Sequence, residues 1–253
     1  MTFKSLKPAE LFLTADPGFD GVECFKIIIH QLIFAGVLQV TLKKVKIPHG
    51  IGHFNTYYFS KGPNYENYES TNYEKIALTP FQRIQSSIPL PLYTSIIMEA
   101  CDWDAQYIRK SILLQLLIQK GYLKKTFLNK IDYYPKTELG KQITVEWKKQ
   151  SSKALSLIQT NTVNSFWKAV EIVEQHLPIV PKIPFREIEK NRLQIFEKML
   201  TTLKAYEANS NGLEQDIQIV KYLFPTIGNP DFTFNLFVQN FDAQLTGGFE
   251  NEE

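Results

Sequence analysis

Two copies of one short pattern decide the expected fold: LIFAGVL at residues 32–38 and LIQKGYL at residues 117–123. In each copy a leucine lies four residues before a glycine, and a second leucine lies two residues after it. Glycine readily takes the left-handed conformation that ends a helix. Each copy therefore predicts a helix that ends at Gly36 or Gly121 and continues into a strand. Because the pattern occurs only twice, it indicates a duplication and not a repeat array.

The first copy belongs to a predicted helix and β-hairpin. Asp20 can cap the helix, and Glu23 three residues later completes a capping box. Apolar residues then recur at helical spacing as far as Ile33. The β-branched residues of 37–47 predict a strand, and residues 54–59 predict its return after a loop.

The second copy predicts the same order of elements. A helix from about Ala105 ends at Gly121, and residues 122–127 form a strand. Asn129 and Lys130 make the turn, and residues 131–134 form the return strand. The expected fold class is mainly α: a helical bundle with two winged-helix-like units, each a helix followed by a β-hairpin.

The rest of the chain is predicted to be mostly helical. Thr137 is placed to cap a helix over 138–160. Three prolines in 178–184 predict an extended connector, because proline fixes its own φ and has no amide donor. Further helices are expected over 165–176, 186–208 and 213–224. The expected regions are 1–160, which holds both units, a helical C-terminal region at 161–246 and a disordered tail at 247–253.

Length and composition narrow the class of protein. The chain has 253 residues, and no run of eighteen apolar residues occurs that could cross a membrane as a helix. The N-terminus lacks the apolar core of a secretory signal. Two cysteines are too few for a disulfide framework and fit a reducing compartment. We expect a soluble cytoplasmic protein, with peripheral attachment to a membrane as a further hypothesis.

Catalytic and metal-binding patterns give little support to an enzyme. The sequence contains no glycine-rich phosphate loop, GxSxG or HExxH motif. His49 and His53 have i,i+4 spacing, but Pro48 and the neighbouring glycines argue against a helix that would bring them together. Cys24 lies beside an apolar helix face, where a thiol is more often buried than nucleophilic. We predict no catalytic residues, no metal and no cofactor.

Charge is unevenly distributed along the chain. Residues 101–153 contain eleven basic and five acidic residues, whereas residues 154–253 contain eight and thirteen. A basic segment can attract a polyanion, or it can be a solvated face. Lys26, Arg109 and Lys110 lie in the first turns of the two predicted helices, where amide groups and the helix dipole favour anions. They are our candidates for binding a phosphorylated headgroup.

The layout resembles the Golgi phosphoprotein three family over roughly residues 6–155. The resemblance rests on four segments: LKPAELFL at 6–13, DPGF at 16–19, IHQLIFAGVLQV at 29–40 and RKSILLQLLIQKGYL at 109–123. It implies a mainly helical fold, recognition of a phosphoinositide headgroup and work as a trafficking adaptor. The family's lipid site uses a Trp in the early loop and Arg residues in two helices. The resemblance places Phe19 at that Trp, Lys26 beside the first Arg and Lys110 at the later basic cluster.

Three hypotheses follow. The leading one is a non-enzymatic protein that docks on anionic phospholipid through Phe19, Lys26, Arg109 and Lys110. The second is a winged-helix DNA-binding regulator, which the Ile- and Leu-rich helix before Gly121 and the neighbouring Asp102 argue against. Nucleic acid is therefore the weaker candidate partner. The third is a protein that binds another protein and has no polyanion ligand.

Overall fold

The computed structural model describes residues 2–46, 53–104, 106–160 and 163–180. These residues are mainly helical with one small antiparallel sheet, which confirms the predicted fold class. The helices are α1 (Pro8–Ala15), α2 (Gly21–Phe34), α3 (Asn72–Leu78), α4 (Pro80–Arg83), α5 (Leu90–Glu99), α6 (Leu114–Gln119), α7 (Glu138–Gln159) and α8 (Val163–Val173). The strands are β1 (Leu38–Lys46), β2 (His53–Lys61) and β3 (Ile88–Pro89). Short 3-10 helices cover Phe3–Ser5, Tyr65–Asn67, Phe127–Ile131 and Glu174–Ile179, and a π-helical segment covers Ile108–Leu113.

Local hydrogen bonds explain where α2 and α7 begin. The Glu23 amide donates to Asp20 Oδ1 at 2.8 Å at the start of α2. The Gly140 amide donates to Thr137 Oγ1 at 3.1 Å at the start of α7. In both places a short polar side chain satisfies an amide that has no partner inside the helix. The capping roles predicted for Asp20 and Thr137 are confirmed.

The two glycines of the duplicated pattern end their helices in the same way. Gly36 has φ +70° and Gly121 has φ +76°, both in the left-handed region. After each glycine the next amide donates to the carbonyl five residues earlier, at 2.9 Å: Val37 to Leu32, and Tyr122 to Leu117. This geometry is the left-handed helix stop that the sequence predicts.

The first predicted hairpin is confirmed. β1 pairs antiparallel with β2 in a register that joins Leu38 to Lys61 and Lys46 to His53. The short strand β3 adds to β2 on its other side, opposite Phe59. Phe59 is fully buried and stacks on the Tyr93 ring of α5 at 3.9 Å. This end of the hairpin is therefore fixed by the core.

The second predicted hairpin is wrong. Instead of two strands, the structure has one isolated bridge between Leu123 and Lys136. The residues between them form the 3-10 helix Phe127–Ile131. The Thr126 amide donates to Asn129 Oδ1 at 2.6 Å, and Asp132 ends the turn with φ +59°. These local bonds satisfy the backbone within the loop, so it does not need a strand ladder.

The N-terminal residues pack against α7 and against the 3-10 helix Glu174–Ile179. The Phe3 ring lies 5.5 Å from the Trp147 ring of α7 and 5.3 Å from the His176 ring. His176 Nε2 lies 2.8 Å from the Leu6 carbonyl, and Nδ1 lies 3.1 Å from the Val173 carbonyl. This buried cluster joins residues more than 140 positions apart in the sequence.

The described residues divide into two units. Residues 2–31, 106–160 and 163–180 belong to one, and residues 32–46 and 53–104 belong to the other. The division into 1–160, 161–246 and 247–253 stays a prediction. Outside the described residues lie the loop tip at 48–52, the predicted helices at 186–208 and 213–224, the tail and residues 181–184 of the proline connector. The start of that connector is not extended as predicted, because residues 178 and 179 belong to the 3-10 helix Glu174–Ile179.

Candidate functional site

Arg109 is a buried cation with polar partners from two other parts of the chain. Its side chain is only 2% exposed. Nη1 lies 3.0 and 2.9 Å from the two carboxylate oxygens of Asp132, and Nη2 donates to the Pro17 carbonyl at 2.6 Å. A guanidinium removed from water needs such partners, because burying an unpaired charge is very costly. Arg109 therefore ties its helix to the loop that contains Asp132 and to the turn at Pro17.

The π-helical segment Ile108–Leu113 carries Arg109 to this position. It buries Ile108, Arg109 and Leu113 together. Its neighbour Lys110 is turned toward solvent, with its side chain 48% exposed and Nζ 3.8 Å from Asp132 Oδ2. Adjacent cations on one helix thus have different environments. Arg109 is part of the interior, while Lys110 is half exposed at the surface beside the same carboxylate.

Beyond Arg109 lies a segment that we name the 124–133 loop, from Lys124 to Tyr133. It is ordered by its own side chains as well as by Arg109. Asn129 accepts from the Thr126 amide and donates to the Tyr133 carbonyl at 2.9 Å. The bond between the Lys124 amide and the Pro135 carbonyl, at 2.7 Å, closes the base of the loop. Its conformation is therefore specified at both ends and in the middle.

The 124–133 loop exposes large apolar side chains. Phe127 is 79% exposed, Ile131 is 74% exposed and Tyr133 is 56% exposed. Isolated exposed apolar residues are ordinary, but here three occur within seven residues of one loop, and groups of exposed apolar side chains commonly mark contact sites. Three exposed lysines lie in the same loop: Lys124, Lys125 and Lys130. The surface thus combines apolar and cationic groups.

The structure brings together only some of the residues predicted as a headgroup site. Arg109 and Lys110 meet at Asp132. The Phe19 ring lies 4.1 Å from the Phe12 ring and the residue is 37% exposed. Lys26 forms an ion pair with Glu23 on its own helix, and its side chain is 12% exposed. The prediction that these four residues bind a headgroup stays a prediction, but the contacts of Arg109 and Lys26 are internal.

Cys24, which the sequence places beside an apolar helix face, is buried. Burial raises the pKa of the Cys24 thiol to about 12, although the nearby Arg109 charge lowers it in part. A thiol with that pKa is protonated at neutral pH and is a poor nucleophile. His49 lies outside the described residues, so the proposed pairing with His53 has no structural test. Within the described ranges, no three His, Cys, Asp or Glu side chains are grouped to hold a metal ion.

Sequence reasoning missed the 124–133 loop because its apolar residues were assigned to strands. A hairpin predicts that Phe127 and Ile131 face a core, whereas the 3-10 turn exposes both. The usable signal was Thr126 followed three residues later by Asn129, which favours a capped turn.

Comparison with known proteins neither supports nor contradicts the resemblance to the Golgi phosphoprotein three family. No family model, curated protein or solved structure matches the chain. In the described part of the chain, no helix has both the length and the apolar character needed to cross a membrane.

Proposed function

We propose that this protein is a non-enzymatic protein that docks reversibly on the surface of anionic phospholipid membranes. The contact is made by the 124–133 loop, with Lys110 beside it. The observation that carries the proposal is the joint exposure of Phe127, Ile131 and Tyr133 among lysines. The resemblance to the Golgi phosphoprotein three family supports the same class of ligand.

The composition of the loop fits an interfacial environment. Burying one Phe or Ile side chain that was in water stabilises by about 1.5–3 kcal/mol. Each lysine near an anionic bilayer adds about 1 kcal/mol. A loop with two aliphatic or aromatic anchors and three lysines therefore supplies both apolar burial and electrostatic attraction without a spanning segment. Binding of this strength is reversible and depends on salt.

In this proposal Arg109 does not contact the lipid. Its guanidinium holds Asp132 and Pro17, which fixes the loop relative to the helix. Its buried charge also neutralises Asp132, which would otherwise repel an anionic surface. Arg109 is thus a positioning residue, and Lys110 and the loop lysines make the electrostatic contact.

Co-sedimentation with vesicles tests the proposal. Phosphatidylcholine vesicles with and without phosphatidylserine are compared, for the wild type and for Phe127→Ser/Ile131→Ser. We expect the wild type to pellet with the anionic vesicles and the double variant to pellet much less. Val145→Ser is the matched control, because Val145 is 68% exposed on α7, away from the loop in sequence.

A second set of variants tests the contribution of the loop lysines to vesicle binding. Lys124→Gln/Lys125→Gln/Lys130→Gln should weaken binding most at low salt, since screening reduces the same term in the wild type. Lys148→Gln/Lys149→Gln/Lys153→Gln removes the same charge from exposed positions on α7. Equal pelleting of the wild type and both loop variants would refute the proposal. Vesicles with phosphatidylinositol 4-phosphate at matched charge then test headgroup preference.

A further inference from the structure

The β1–β2 hairpin carries a second group of lysines, in the other unit of the chain. Lys43, Lys44 and Lys46 are all exposed, and they lie among the last four residues of β1. None of the three forms an ion pair with a carboxylate among the described residues. By contrast, Lys61 at the core end of β2 pairs with Glu66 at 3.1 Å. The positive charge of the hairpin is therefore concentrated toward its far end.

These lysines lie on both faces of the hairpin, because successive side chains of a strand alternate. Lys44 and Lys46 share a face with Val40, which is buried nearer the core. Lys43 lies on the opposite face, where its Nζ is 4.4 Å from the centre of the Tyr58 ring and 2.9 Å from Ser87 Oγ. The far half of the hairpin is thus a two-stranded ribbon with cations on either side.

Cations on two faces distinguish between polyanionic partners. A bilayer surface is a single plane, so it would meet one face of the ribbon and leave the other lysines in water. The major groove of B-form DNA has phosphates along both walls, and its width of about 12 Å admits a two-stranded β-ribbon. Two strands spaced about 4.8 Å apart, with lysines placed on both faces, match that shape.

We infer that the β1–β2 ribbon is a contact site for double-stranded DNA. The ribbon lies in the major groove, with Lys43 toward one wall of phosphates and Lys44 and Lys46 toward the other. The lysines contact phosphates and carry no base information, so binding is independent of sequence. Arg109 has no part in it, since its side chain is buried. This inference is independent of the proposed membrane function.

Fluorescence anisotropy with a labelled duplex of mixed sequence tests the inference on the full chain. The wild type should bind with an affinity that falls as salt rises, with a slope in log K against log salt of about −0.9 for each phosphate contacted, or on the order of −3 in total. Lys43→Gln/Lys44→Gln/Lys46→Gln should bind at least about ten-fold more weakly and lose most of that slope. The triple variant on α7, Lys148→Gln/Lys149→Gln/Lys153→Gln, changes the net charge equally and should retain both.

Four outcomes would overturn the inference. The first two are no measurable binding by the wild type and an equal loss of affinity in the α7 control. The third is equal ribbon-dependent binding of an A-form RNA duplex, because the major groove of that duplex is too narrow for side chains to read. The fourth is ribbon-dependent binding of anionic vesicles without binding of the DNA duplex. An unchanged thermal unfolding midpoint in the ribbon variant shows that the loss is one of binding and not of folding.

Discussion

The guanidinium of Arg109 reaches both carboxylate oxygens of Asp132, at 3.0 and 2.9 Å, across 23 positions of sequence. Arg109 is 2% exposed and Asp132 is 42% exposed, so the cation is the buried partner and the carboxylate lies at the surface. The Pro17 carbonyl is a third member of the arrangement. The apolar loop that we propose as a membrane contact is therefore anchored to the interior through one charge.

Removing the carboxylate should destabilise the fold. Asp132→Asn leaves the guanidinium buried without its counter-charge, while asparagine tolerates the φ of +59° at this position. Breaking a fully buried pair costs about 3–5 kcal/mol, and the exposure of Asp132 reduces the expected loss to about 1–3 kcal/mol. Urea unfolding measures it. Lys110→Ala is the control, with an expected loss below about 0.5 kcal/mol, and equal losses in the two variants would contradict this account.

Stability should fall as the pH drops below about 6.5. Burial lowers the pKa of His176 from its ordinary value of 6.5, although bonds to the Leu6 and Val173 carbonyls oppose that shift. The unfolded chain then binds the proton more readily than the folded chain, so acid favours unfolding between the unfolded pKa and the lower folded one. Urea unfolding at about pH 8 and about pH 5 should show a smaller difference in His176→Gln than in the wild type. An identical pH dependence in the variant would rule out this role for His176.

Two glycine substitutions should differ in their cost. Gly121→Ala meets no atom within 4 Å but must adopt a φ of +76°, which costs about 1–2 kcal/mol. Gly140→Ala would place its Cβ 2.2 Å from the Tyr122 carbonyl oxygen, so the backbone has to move. We expect Gly140→Ala to lower the free energy of unfolding by more than Gly121→Ala does. The reverse order in urea unfolding would show that α7 can shift away from Tyr122 without cost.

The capping box at α3 should be measurable by paired substitutions. Glu74 accepts from the Thr71 amide at 2.7 Å and from the Thr71 hydroxyl at 2.8 Å, and the Glu74 amide donates back to that hydroxyl at 3.4 Å. Thr71→Ala should cost about 1 kcal/mol, because it removes the cap. Thr71→Ser keeps the hydroxyl and should cost much less in thermal unfolding. If both variants lose the same stability, the methyl group of Thr71 matters and the cap does not.

Local signals in the sequence were reliable where the bonds themselves are local. Asp20 with Glu23, Thr137 with Gly140, and the glycines at 36 and 121 each involve neighbours a few residues apart. Residue type and spacing carry that information, because a cap or a left-handed stop needs only its own turn. The helices and the first hairpin could be predicted from this local information.

The environment of Arg109 could not be predicted in the same way. A basic residue near a helix start is ordinarily exposed, and its position alone indicates an anion site. Its burial depends on Asp132 and on Pro17, which is 92 positions away. The same is true of the 124–133 loop, where alternating apolar residues suit a strand until Asn129 and Asp132 close a turn. Contacts set by tertiary packing override the local pattern.

The N-terminal segment has a consequence for synthesis in the cell. Its partners lie far along the chain: Pro17 binds Arg109, Glu10 binds Lys120, Ala15 binds Lys136 and Leu6 binds His176, at separations of 92, 110, 121 and 170 positions. A ribosome that adds about 5–20 residues per second needs on the order of ten seconds or more to cover the longest of these. During that interval the apolar side chains of α1 lack the surfaces that later cover them, until α7 and the residues after α8 are translated.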